Sequence, residues 1–258
     1  MAALTPEGSA AAAHRSPAAV PTKTGVMMVP EAPGQDEGRD EAATSEGNNT
    51  TLREQILALY HKGEADAILS LICTFTKDET HPQPWDPLLL WVQPQHCCLA
   101  ALAAHVRGAH LSAVASVGCG TGLLEWLLQA VTGLPVVGYE VNAEWWTSKY
   151  APPTFIPLTY ADPDAPPPAV PPTHALMCCY FNNGPVFRQY VAAYKGAALL
   201  IIGATSGDRH TDPHPLDYVD RDSWRLTLTH RISPHDLLAG YLRHPPKARQ
   251  QHGQHPPP

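Results

Sequence analysis

A chain of 258 residues with 44% hydrophobic side chains can bury one large core or two small ones, yet its 28 prolines, about twice the average share, stop regular structure wherever they cluster. A formal net charge of −7 opposes general affinity for phosphate backbones, so nucleic acid is not an expected partner. No apolar run is long enough to span a bilayer and no basic flank precedes an apolar core at the N-terminus. A cytoplasmic protein with no membrane partner is expected, the nucleus remaining open.

Residues 1–49 are rich in Ala, Pro, Gly, Glu and Thr and poor in aromatics, too little apolar surface to offset the entropy of ordering, so a disordered tail is expected. A folded domain is expected over 50–243, its first part, 50–108, helical. Over 51–75, Leu52, Ile56, Leu59 and Tyr60 make one helical stripe and Ile68, Leu69 and Ile72 another, with Gly63 breaking them into a hairpin. Pro82, Pro84 and Pro87 make a loop around Trp85. A helix over 94–107 follows, carrying Cys98, Leu99, Leu102 and Val106 on one face.

Residues 111–140 are the centre of the chain. Small and β-branched residues over 111–117 suit a buried parallel strand. Gly118, Gly120 and Gly122, with Cys119 and Thr121 between them, then form a turn that a ligand can approach without meeting a Cβ. Leu123, Leu124, Leu127, Leu128 and Val131 recur at helical spacing, Gly133 and Pro135 stop that helix, and a second strand over 135–139 closes on Glu140. A nucleoside laid over such a unit sets its polar tail against the glycine turn and its ribose diol against an acid about 20 residues on, which is where Glu140 stands. The dinucleotide fingerprint GxGxxG/A is excluded by Leu123 in its last position; the turn reads GxGxG instead.

Beyond Glu140, residues 142–150 hold a helical turn or short helix with Trp145 and Trp146, which either stack on adenine or close a pocket, or else are core aromatics. A third strand is expected over 155–160, and the prolines of 162–172 leave any following helix short or missing. A fourth strand over 175–181 ends in Asn182, Asn183 and Gly184, a helix follows over 185–194, and a fifth strand over 197–202. The loop 203–218 gathers Asp208, His210, Asp212 and His214, but no metal site is expected there. Cysteine spacing gives none either, since Cys97-Cys98 and Cys178-Cys179 are adjacent pairs while Cys73 and Cys119 stand alone. Residues 224–232 alternate as a half-exposed edge strand. Ser233 to Asp236 resemble a helix start leading into a brief segment over 237–242, and 244–258 is expected to be a second disordered tail.

Several of these stretches together resemble the class I S-adenosylmethionine-dependent methyltransferases. VGCGTG is similar to that family's first motif and GYEVN, ending at Asn142, to its second; LTYADPDAP, with Asp162, and HALMCCYFNNG, ending at Gly184, resemble the third and fourth. The resemblance covers roughly 111–203. It implies a Rossmann-like, doubly wound, mostly parallel α/β sheet over 109–243 with S-adenosyl-L-methionine as cofactor. Gly118, Cys119, Gly120, Thr121 and Gly122 would hold it, Glu140 would bind its ribose and Asp162 would lie by the adenine. The resemblance further implies methyl transfer to a small-molecule or protein acceptor, which Tyr180, Asn182 and Asn183 would orient. One departure stands out: the acid that often precedes the glycines in this family is replaced by Ser116 or absent. That departure and the proline-rich segment after the third strand keep open a catalytically inactive, methyltransferase-like scaffold. A nicotinamide-dependent oxidoreductase is opposed by Leu123. The acceptor and the oligomeric state are not legible in the sequence.

Overall fold

The computed structural model describes residues 50–77, 85–205, 211–218 and 220–245. The expected N-terminal tail, all but His244 and Pro245 of the expected C-terminal one, Pro82 and Pro84, and His210 with Asp208 lie outside the described residues.

Three helices precede the sheet. Helix α1 (Leu52–His61) starts in a capping box, the Thr51 hydroxyl accepting from the Glu54 N–H while the Glu54 carboxylate accepts from the Thr51 N–H. Gly63, at φ +74°, turns the chain into α2 (Ala65–Lys77). Helix α3 (His96–Gly108) delivers the chain to β1 (Ala113–Val117). Then come α4 (Leu123–Thr132), β2 (Val136–Glu140), the single turn α5 (Ala143–Trp146) and β3 (Leu158–Tyr160). Next are β4 (His174–Cys179), α6 (Gly184–Ala193), β5 (Ala198–Ala204), β6 (Trp224–Arg231) and β7 (Asp236–Arg243).

The strands form one sheet in the order β3-β2-β1-β4-β5-β7-β6. Neighbours from β3 to β5 run parallel, and β7 is antiparallel to both β5 and β6. All five residues of β1 and all seven of β5 are buried, as expected for strands covered on both faces. On one face, Val114, Met177, Leu200 and Ile202 pack with α1 to α4 through residues such as Ile56, Ile68, Leu102 and Leu127. On the other, Ala115, Leu176, Leu199 and Ile201 pack with Phe187, Tyr190 and Tyr194 of α6 and its end, and with Trp224 and Tyr241. The doubly wound, mostly parallel α/β sheet expected from the sequence is the one observed. From β1 the chain winds outward through β2 and β3, then crosses to β4 and β5 on the other side. The crevice at the carboxyl ends of β1 and β4 is therefore a topological switch point, where open α/β sheets bind ligands.

Two segments depart from expectation. The third strand begins only at Leu158; Phe155 and Ile156 are pulled under the glycine turn, the Phe155 N–H donating to the Thr121 carbonyl at 2.8 Å. The second departure is larger. Ser233 to Asp236 do not start a helix but turn one strand into the next: the Ser233 hydroxyl accepts from the N–H groups of His235 and Asp236 and donates to the Asp236 carboxylate at 2.8 Å. Residues Leu237, Leu238 and Ala239 are buried on both faces of β7, and a short run of that kind belongs between two strands rather than on an amphipathic helix. Strand β6 takes the sheet edge as expected, with a register shift between Leu226 and Leu228, and Leu226 is exposed. No helix appears among the prolines of 161–173. Among the described residues no helix is long and apolar enough to cross a membrane.

Candidate functional site

The glycine turn sits at the switch point, between β1 and α4. Gly118, Gly120 and Gly122 take φ of +68°, +62° and +76°. The last two do different work. A Cβ on Gly122 would drive into the Ile156 side chain, so this position is closed by packing, whereas a Cβ on Gly120 would find nothing nearer than Cη2 of Trp146, 4.0 Å away. Gly120 is thus a part of the turn whose backbone is not closed off by packing. Thr121 is buried and points inward: its hydroxyl donates to the Leu89 carbonyl at 2.7 Å and accepts from the Leu123 N–H at 3.2 Å. Cys119 has a thiol pushed well above the usual range by burial, and then by the nearby carboxyls of Glu125 and Glu140, so it is an inert packing group.

Glu140 stands at the tip of β2 with only 2% of its surface exposed. One carboxylate oxygen accepts from the Gly120 N–H at 2.8 Å and the other from the Val141 N–H at 2.9 Å. The Trp146 side chain adds a further hydrogen bond. Burial raises the proton affinity of this carboxyl above the ordinary value, and the three donors offset that only in part. The spacing of 20 between Gly120 and Glu140 in the sequence is therefore a direct contact in the fold.

A second acid, missed by the sequence reading, lies under the same turn. Glu125, in the first turn of α4, is buried, and its Oε1 accepts from the Ser116 hydroxyl at 2.6 Å. Its Oε2 has no hydrogen-bond partner. Burial, with the Glu140 charge as a smaller contributor, pushes this carboxyl up to about 7 against the Ser116 hydrogen bond, which lowers it. The Glu125 carboxyl thus reaches from the helix to lie against Ser116 of β1. The signal was present in the sequence, since Glu125 interrupts the apolar run LLEWLL at the start of the helix.

The remaining expected residues are not drawn into this cluster. Asp162 is exposed in the loop after β3, where its carboxylate accepts from the Asp164 N–H at 2.9 Å; its neighbour Ala161 donates to the Glu140 carbonyl at 2.7 Å. Tyr180 follows β4 at φ +50°, stacks on Trp91 and donates its hydroxyl to the buried carboxylate of Asp236. Asn182 is exposed, and Asn183 caps α6, its side-chain oxygen accepting from the Val186 N–H at 3.2 Å. Among the described residues no three His, Cys, Asp or Glu side chains are grouped so as to hold a metal ion.

No protein-family model matches the chain, and no curated protein matches it significantly. Among solved structures it is similar to an O-methyltransferase of neocarzinostatin biosynthesis in complex with S-adenosylmethionine and 2-hydroxy-5-methyl naphthoic acid, at 13% identity over 76% of this chain and 62% of that one, with a TM-score of 0.38. It is also similar to human N-acetylserotonin methyltransferase in complex with S-adenosylmethionine, at 11% identity over 73% and 59% of the two chains, TM-score 0.41. A methyltransferase from Aquifex aeolicus described as S-adenosylmethionine-dependent matches at 12% identity over 67% and 97%, TM-score 0.37. The chain spans less than two thirds of the length of the first two.

Proposed function

We propose that this protein is an S-adenosylmethionine-dependent methyltransferase acting on a small-molecule or protein acceptor. The observation that carries the reading is the 2.8 Å contact between the Glu140 carboxylate and the Gly120 N–H, which joins the tip of β2 to a glycine turn at the sheet's switch point. Electrostatics support the choice of ligand. The buried Glu140 carboxylate, joined by Glu125 once that group ionises above about 7, sets negative charge beside the turn, which opposes the pyrophosphate of a dinucleotide and favours a cationic sulfonium with its ammonium group. The unpartnered Oε2 of Glu125 and the open side of Gly120 are features such a ligand would use.

In this reading the backbone from Gly118 to Gly122, with Cys119 and Thr121 setting its shape from within, cradles the cofactor. Glu140 accepts from the ribose hydroxyls, and Asp162 is the proposed neighbour of the adenine. When bound, the cofactor supplies an activated methyl: the acceptor's lone pair forms the bond to carbon as the carbon–sulfur bond breaks and its electron pair stays on sulfur. The protein's part is to hold acceptor and methyl close and in line. Tyr180, Asn182 and Asn183 are proposed to orient the acceptor, Asn183 through the start of α6 that it caps.

One observation favours an inactive binding module instead. The Trp146 ring lies by Gly120 and its side chain already bonds Glu140, so the acid is covered in this state. Calorimetric titration with S-adenosylmethionine, S-adenosylhomocysteine and NAD, on the wild type and on Glu140→Ala, separates the readings. Binding of both sulfur nucleosides that weakens by about 1–3 kcal/mol in the variant is expected. Absence of sulfur-nucleoside binding overturns the methyltransferase, and binding of NAD alone turns the site into an oxidoreductase pocket.

A further inference from the structure

Trp91 is a large aromatic side chain that the fold leaves half exposed. Its flanks are anchored: Leu89, Leu90 and Val92 are buried, the Leu89 carbonyl accepts from the Thr121 hydroxyl of the glycine turn, and the Leu90 carbonyl accepts from the Trp85 indole N–H at 2.8 Å. Between these fixed points the Trp91 side chain is turned outward and remains 51% exposed. One face of its indole is covered by Tyr180, with ring centroids 5.8 Å apart and planes 23° from parallel. Tyr180 is held in turn. Its backbone sits at φ +50°, a conformation that bulky L-residues adopt rarely and mostly where the surroundings impose it. Its hydroxyl donates to Asp236, which is buried and takes a second donor, the Ser233 hydroxyl. The result is a preorganised pair of stacked rings in which the indole still presents surface to solvent.

We propose that Trp91, backed by Tyr180, is the platform on which a small planar aromatic methyl acceptor stacks. The inference rests on the methyltransferase reading of the glycine turn, and two contacts direct it. The platform is tied to that turn through the hydrogen bond from Thr121 to Leu89, and Tyr180 leaves the end of β4, the strand beside β1 across the switch point. A planar ring gains from offset stacking on an indole what a saturated ring of the same size does not, because the π-face interaction adds to area burial. The transfer is balanced as for any sulfonium donor: a lone pair on the acceptor's hydroxyl oxygen forms the bond to methyl carbon, the carbon–sulfur pair returns to sulfur, and the hydroxyl proton leaves to solvent. A protein acceptor, which would bring its own backbone and flanking charges, is not required by a platform of two rings.

The test uses the full chain and the pair 2-naphthol and trans-decahydro-2-naphthol, flat and saturated rings of matched size and hydroxyl. Dissociation constants are read by titration, with and without S-adenosylhomocysteine, for the wild type, Trp91→Ala and Trp91→Phe; S-adenosylmethionine affinity is read on all three. Expected is saturable binding of 2-naphthol, about tenfold weaker in Trp91→Ala and only about two- to threefold weaker in Trp91→Phe, with S-adenosylmethionine affinity unchanged. The proposal is overturned if the wild type does not bind 2-naphthol, if it binds the saturated analogue equally well, if Trp91→Ala binds as the wild type does, or if that variant loses S-adenosylmethionine. Failure of the wild type to bind S-adenosylmethionine is a separate result, and it removes the methyltransferase reading whatever 2-naphthol does.

Discussion

Glu125 offers the sharpest quantitative test of the site. Its carboxyl moves from an ordinary value of 4.5 in the unfolded chain to about 7 when buried beneath the glycine turn. The native state therefore keeps a proton that the unfolded chain releases. The stabilisation from this group is fully present below pH 4.5 and is lost as pH rises through about 7. At about 1.4 kcal/mol per pH unit the whole effect is about 3 kcal/mol, and roughly 2–3 kcal/mol of it falls between pH 5 and 8. The perturbation is Glu125→Gln, which keeps the shape and an oxygen for the Ser116 hydroxyl but cannot ionise. Its amide nitrogen faces the place where Oε2 has no partner, which shifts stability by a constant amount and leaves the pH slope untouched. Urea unfolding of both proteins at pH 5, 6, 7 and 8 isolates the slope. Wild-type stability minus variant stability is expected to fall by roughly 2–3 kcal/mol across that range. A difference that changes by less than about 0.5 kcal/mol would refute the claim that Glu125 is buried with a proton near neutrality.

Three further outcomes follow from the same geometry. Gly122→Ala, which sets a Cβ against Ile156 at a backbone φ of +76°, is expected to cost on the order of 2–4 kcal/mol in urea unfolding; a cost under about 1 kcal/mol would mean that the turn is not packed as described. Trp146→Phe removes the indole donor that occupies Glu140 and is expected to tighten S-adenosylhomocysteine binding by about 1 kcal/mol in calorimetry, whereas weaker binding would show that the indole is part of the ligand's own pocket. Ionisation of Glu125 as pH rises through about 7 favours the positively charged S-adenosylmethionine over its neutral-sulfur product. The ratio of their affinities is expected to rise at least threefold, in order of magnitude, from pH 6 to pH 8 in the wild type and to stay flat in Glu125→Gln.

The sheet was legible because its strands are buried on both faces and read as apolar runs punctuated by Gly and Pro, a pattern that survives without knowledge of partners. The same property misled at β7. A run such as LLAGYL after Ser-Pro has no period of its own, and only pairing with β5 and β6 decides that it is extended. At the site, GxGxG and Glu140 were recognisable because their chemistry depends on local spacing. Glu125 was not singled out because its role depends on a contact with Ser116 nine residues away on another element. Trp91 was invisible for the opposite reason: nothing in a proline-bounded loop announces which of several apolar residues will be turned outward. Asn183 shows how a residue chosen for chemistry is also claimed by local structure, since its side chain is the cap of α6.

The covered state of Glu140 is compatible with ligand binding once the cost of uncovering is considered. Helix α5 has four residues, none of them buried, so displacing it exposes little apolar surface. What it gives up at Glu140 is one indole donor, while the donors from Gly120 and Val141 belong to the turn and to the strand end and remain in place. A ribose diol brings two hydroxyl donors to a carboxylate whose oxygens can each accept more than one. The exchange therefore replaces one hydrogen bond by as many as two, and leaves the Trp146 ring available to lie against whatever the ribose carries. On these terms the contact of Trp146 with Glu140 is one that a vicinal diol can replace without net loss of hydrogen bonds at the carboxylate.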